Sequence, residues 1–167
     1  MNFRALIPRW FRSPAFRHTP IQRKVSALVA HLRTLDQCDM PLVHRFTPGL
    51  YSREISMPAG ALVVSYVHKT EHQFVILEGS LTVWDENGGT QKLSAPHVGI
   101  TKPGTRRVLY IHEDCVWATF HPSTETNVEK LEAALVYNPD LECTFAQSEI
   151  ENIKKEIVCR LQLSEQL

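Results

Sequence analysis

The chain has 167 residues, enough for one domain with a proper core and short of what two would need. Apolar residues make up 43% and charged residues 22%, an ordinary globular balance, and eighteen basic residues cancel eighteen acidic ones. That zero net charge gives no whole-protein field for bulk nucleic-acid binding. No apolar run reaches the roughly twenty residues that span a bilayer, and the N-terminus lacks the apolar centre of a secretory signal, so a cytoplasmic protein is expected.

Charge is uneven along the chain. Residues 1–24 hold Arg4, Arg9, Arg12, Arg17, Arg23 and Lys24 and no acid, with Trp10, Phe11 and Phe16 interleaved. Such an arm suits an anionic surface, or it is a solvated or docked tail whose aromatics pack on the barrel or a second subunit. An amphipathic helix is predicted from Pro20 to Leu35, capped by Thr19, with Val25, Leu28, Val29, Leu32 and Leu35 at helical spacing. Residues 1–40 form an N-terminal arm and helix on this reading.

Short strands follow over 41–122. They are predicted at Val43–Phe46, Tyr51–Met57, Leu62–His68, Gln73–Leu77, Ser80–Asp85, Thr90–Ala95, Gly99–Thr101, Arg107–His112 and Val116–His121. Pro48-Gly49, Glu78-Gly79, Asn87-Gly88 and Pro103-Gly104 are among the breaks, and Glu113-Asp114 reads as a solvated hairpin tip. Strands at this spacing predict a mostly β protein built on an antiparallel sandwich or barrel. Helical spacing returns over 123–167, where Thr126 with Glu129 and Ser148 with Glu151 form capping-box patterns. Cys38, Cys115, Cys143 and Cys159 form no CxxC pair, which points to reduced thiols, and Cys115 has no neighbour that would activate it.

The chemistry-bearing stretch is Tyr66-Val67-His68-Lys69-Thr70-Glu71-His72, followed by Leu77-Glu78-Gly79; a second is Lys102-Pro103-Gly104-Thr105-Arg106-Arg107. The first resembles the first cupin motif, two histidines and a carboxylate before a glycine. The second resembles the second cupin motif, a Pro-Gly turn leading to a histidine ligand. Together they span about half the chain, and they imply a single cupin-type jelly-roll barrel, with a homodimer as the expected assembly. Aligned on Gly79 and Pro103-Gly104, the metal-facing positions carry Tyr66, His68, His72 and Arg107, a departure at three of four places. The run from Tyr51 to Trp117 is also similar to small cupin-like proteins common in tailed-phage genomes, which implies a bacterial host cytoplasm.

Strand alternation supports part of that set: Tyr66 with His68, His72 with Phe74 and Ile76, and Arg107 with Leu109 and Ile111 each share a face. Trp117 and His121 share a face with Cys115 and Thr119, so Trp117 could stack on a ring and His121 could reach the pocket. A guanidinium stays cationic and has no lone pair for a metal, but it offers a planar donor fork to a carboxylate or phosphate. The expected ligand is therefore a small anion, including a nucleotide-type host defence signal, held by Tyr66, His68, His72, Arg107, Trp117 and His121 without a cofactor. Lys69, Lys102 and Arg106 could add to the field. The alternatives are a metal-free sugar-nucleotide epimerase or isomerase, with His68 or His72 as base and Tyr66 or Tyr110 as acid, and a divalent-metal oxygenase or isomerase. The latter would use His68, His72, Glu71 and His121. A barrel acting only through protein contacts is the remaining reading.

Overall fold

The computed structural model describes residues 20–85, 89–142 and 145–161. The basic arm through Arg17, the Thr19 cap, the Asn87-Gly88 turn and Cys143 lie outside them. The elements in order are α1 (Pro20–Leu32), β1 (Leu42–Thr47), β2 (Leu50–Met57), β3 (Leu62–Val64), β4 (Val67–His68), β5 (His72–Asp85), β6 (Thr90–Ser94), β7 (His97–Thr101), β8 (Arg107–Pro122), α2 (Val128–Leu135), β9 (Val136–Tyr137), a 3₁₀ turn (Pro139–Glu142) and α3 (Gln147–Leu161).

Two long strands organise the barrel. β5 and β8 pair with each other along their length, antiparallel, and each turns from one sheet into the other midway. The first half of β5 and the second half of β8 lie between β7 on one side and β2 with β1 on the other. The second half of β5 and the first half of β8 lie between β6 and β3. Two antiparallel sheets built from shared strands form a cupin-type jelly roll, and Met57, Phe74, Ile76, Leu81, Ile111 and Trp117 fill the space between them.

Four predicted strands are thus two. Glu78-Gly79 is not a turn but a bulge, with register shifts between Ile76 and Leu81. Gly79 has φ +79°, and a Cβ there would lie 2.2 Å from the Asp114 carbonyl oxygen, so only glycine lets the strands bend together. Glu113-Asp114 is accordingly no hairpin tip: both residues lie inside β8, and Asp114 Oδ1 accepts from the Ala59 amide at 2.8 Å.

The predicted strand Leu62–His68 is also divided. At its break the Ser65 carbonyl accepts from Arg106 Nε, and the Ser65 hydroxyl instead accepts from the Arg107 amide. The chain then leaves the barrel, and β4 pairs with β9 of the C-terminal segment, Val67 opposite Tyr137 and His68 opposite Val136. Val136 therefore closes α2 as a strand residue rather than extending it. Other helix ends move by a residue or three. α1 stops at Leu32, where the Thr34 hydroxyl and the Gln37 amide take the carbonyls of His31 and Leu32. Asn127, not Thr126, caps α2, and Glu149 receives the Ala146 amide ahead of α3.

α1 lays Val25, Ala27 and Leu28 over Val108 on the outer side of β8. Its remaining arm charges meet α3, Arg23 with Glu149 at 3.0 Å and Lys24 with Glu156 at 2.5 Å, in exposed pairs of small energetic weight. The buried pair is different. Arg106, 2% exposed, makes two hydrogen bonds to Asp140 at 2.8 and 2.9 Å, one to Ser26 Oγ of α1 and one to the Ser65 carbonyl. One guanidinium so ties α1, the β3–β4 link and the C-terminal turn to the barrel. Asp140→Ala strands that charge beneath α1 and should cost about 3–5 kcal/mol in urea unfolding. A loss under about 1 kcal/mol would mean the helical segments are held by something else.

Candidate functional site

The site follows from cross-strand register. Tyr51 on β2 lies opposite His121 on β8, Thr101 on β7 lies opposite His72 on β5, and Phe46 on β1 lies opposite Tyr51. Directly opposed side chains on one face of a sheet touch, and here they form a row of rings. Centroids are 5.3 Å apart for Phe46 and Tyr51, 5.9 Å for Tyr51 and His121, 4.3 Å for His121 and His72, and 4.6 Å for His72 and His68. His44 joins the outer end, its Nδ1 2.7 Å from the Tyr51 hydroxyl.

The next row holds Gly99, Phe74, Thr119 and Arg53. A Cβ on Gly99 would come within 2.4 Å of the Phe74 ring, so glycine gives that ring its place. Phe74 stacks on Trp117 with centroids 4.3 Å apart, and the Arg107 guanidinium lies 5.2 Å from the Phe74 centroid. Arg107 Nη1 also donates to Thr101 Oγ1 at 2.9 Å.

Of these groups, His68, His72, Arg53, Thr101, Arg107, Thr119 and Trp117 border a cavity of about 370 Å³. Its polar lining also includes Ser65, Tyr66 and, from α2, Glu132. Its apolar lining includes Met40, Leu42, Ile55, Met57, Val63 and Leu109. Neither Arg53 nor Arg107 joins an ion pair among the described residues.

The imidazoles are neutral near pH 7. Burial, then the neighbouring His72, Arg107, Arg53 and His121, pulls His68 down to about 3. Burial, then His72 and Arg53, does the same to His121. Burial also lowers His72, against the opposing effect of the Thr70 carbonyl. Since His72 Nδ1 lies 3.1 Å from that carbonyl, it carries the proton and Nε2 keeps a lone pair. His72 Nε2, His68 Nδ1 and His121 Nδ1 are buried and have no hydrogen-bond partner among the described residues. Burial also holds the Cys115 thiol up at about 11, so it is no nucleophile.

Of the residues the sequence singled out, Tyr66, His68, His72, Arg107 and Trp117 line the main cavity, Tyr66 at 44% exposure. His121 lines a small adjoining pocket with Tyr51, Arg53 and His68. Glu71 is exposed and lines neither. Among the described residues, no group of three or more His, Cys, Asp or Glu side chains is placed to hold a metal ion. With a cationic guanidinium at the second-motif position, the donor set does not fit the metal that a cupin barrel implies.

Two further expectations are corrected. Arg106 adds nothing to the cavity field, because Asp140 neutralises it on the other side of β8. Tyr110 packs with the α1 cluster, remote from His72. Arg53, Thr101 and Glu132 were missed. Alternation along β2 puts Arg53 on the face of Tyr51, Ile55 and Met57, a signal that could have found it; Glu132 has no local signal.

No family model matches the sequence, and no curated protein matches it. Among solved structures, the chain is similar to a cupin domain from Schizosaccharomyces pombe at 21% identity, covering 65% of this chain and 81% of that one, with a TM-score of 0.43. It is similar to a cupin-2 domain protein from Shewanella frigidimarina at 15% identity, covering 62% and 99%, with a TM-score of 0.41. A cupin superfamily protein from Desulfitobacterium hafniense follows at 9% identity, covering 53% and 81%, with a TM-score of 0.44. The jelly roll rests on this chain's own strand pairing. No helix among the described residues is long and apolar enough to cross a membrane.

Histidines held below their ordinary value of 6.5 refuse protons that the unfolded chain accepts. Stability is therefore whole above about pH 6.5 and falls as pH drops toward 3, by up to about 1.4 kcal/mol per pH unit per histidine. Urea midpoints at pH 7.5 and 4.5 should show this fall, and His121→Phe should lessen it. Equal midpoints for the parent protein would show that the cluster is hydrated and titrates normally.

Proposed function

We propose that this chain is a cupin-fold small-molecule-binding protein that captures an anionic ligand inside the barrel. One observation carries the reading: the half-buried Arg107 guanidinium borders the cavity, fixed by Thr101 and Phe74, and has no ion-pair partner among the described residues. Burial works against this charge, offset in part by Asp85 opposite it on β5, and an anionic ligand that adds a counter-charge recovers the remaining cost on binding. Neutral His68 adds a hydrogen-bonding group without adding charge. The resemblance to small phage proteins extends the reading to capture of a host signal.

A second reading is favoured by the tautomer of His72. Its buried Nε2 lone pair, beside a cavity, is what a general base needs, and Tyr66 is the phenol at the same cavity. A metal-free isomerase or epimerase would show turnover that disappears in His72→Ala, whereas a capture protein returns its ligand unchanged.

Isothermal titration against carboxylates, phosphorylated sugars, nucleotides and cyclic nucleotides tests the first reading. At least one anion should bind, and Arg107→Ala should weaken it about tenfold or more, the worth of a charge-assisted hydrogen bond. Unchanged affinity in that variant would sink anion capture.

A further inference from the structure

The cavity is specific about the kind of anion it suits. We propose that its ligand is a monocarboxylate with an apolar body, an alkyl chain or a single ring, and not a nucleotide. This rests on the anion-capture reading above and narrows it.

Charge sets the head group. The cavity borders two guanidinia, Arg53 and Arg107, and one carboxylate, Glu132. With His68 and His72 neutral, the lining carries a single net positive charge, which matches one carboxylate and leaves a phosphate dianion under-compensated. The donors that phosphates favour are also missing from the described lining. No glycine borders the cavity, and α2 contributes Glu132 from its interior instead of its N-terminal amides.

Shape and polarity set the body. An apolar wall of Met40, Leu42, Ile55, Met57, Val63 and Leu109 makes up much of the lining, whose uncharged polar groups besides the histidines are Ser65, Tyr66, Thr101 and Thr119. An apolar chain asks for nothing more than this wall. The carboxylate then meets Arg107 and Thr101.

The test is calorimetry on the full chain with butyrate, hexanoate, octanoate, phenylacetate, octanol, AMP and inorganic phosphate. Affinity should rise about fourfold per added methylene from butyrate to octanoate. Arg107→Gln should weaken octanoate at least tenfold, and Ile55→Asn should flatten the chain-length dependence, both variants being checked for an unchanged fold by thermal unfolding. Arg107-dependent binding of AMP or phosphate without octanoate overturns the carboxylate proposal and leaves anion capture standing. Octanol binding as tightly as octanoate, with Arg107→Gln indifferent, overturns anion capture itself. Silence from every probe overturns both.

Discussion

The buried ion pair between Arg106 and Asp140 is the contact on which the rest of the architecture depends. It is nine-tenths or more removed from water at both ends and satisfies four donor positions on one guanidinium. Such pairs are expensive to assemble and more expensive to break, so they specify an arrangement more than they strengthen it. What this one specifies is the seating of α1 and the C-terminal turn against the barrel. The same turn follows β9, which pairs with β4 and so holds the backbone of His68. A contact outside the barrel thereby positions a ring inside it.

The neighbouring arginine has the opposite fate because strand residues alternate. Arg106 faces the helices with Val108 and Tyr110, while Arg107 faces the cavity with Leu109. Two adjacent guanidinia are thus divided between fold and site. One meets a carboxylate from within the chain; the other is braced by a hydroxyl and an aromatic face at the cavity. His121 and His72 are brought together by the register of β5 and β8, and His68 joins them from β4, held by β9.

Much of this was legible in the sequence, and the misses have physical causes. Period-two alternation placed His68, His72 and Arg107 toward one interior, and Trp117 and His121 on the inward face of the last strand. The Leu77-Glu78-Gly79 and Pro103-Gly104 signals located the barrel. Yet Glu78-Gly79 and Glu113-Asp114 have the composition of turns, and only their pairing across the bend makes them the middle of long strands. Arg106 read as a free charge because its partner lies 34 residues away, on a turn with no motif to announce it. Glu132 reaches the cavity only because α2 is folded back over the barrel mouth by β9, a tertiary fact. Arg53 alone among the misses had a local signal, the shared face of Tyr51, Ile55 and Met57.

The central claim is that Arg107 is kept for a ligand and Arg106 for the fold. Side-by-side urea unfolding of Arg106→Met and Arg107→Met, without added ligand, tests it most directly. Arg106→Met should lose about 3–5 kcal/mol, having left Asp140 buried and alone, whereas Arg107→Met should be neutral or more stable, having removed a half-buried charge that joins no ion pair among the described residues. If Arg107→Met loses as much as Arg106→Met, the cavity arginine is a structural element and the account of the site is wrong.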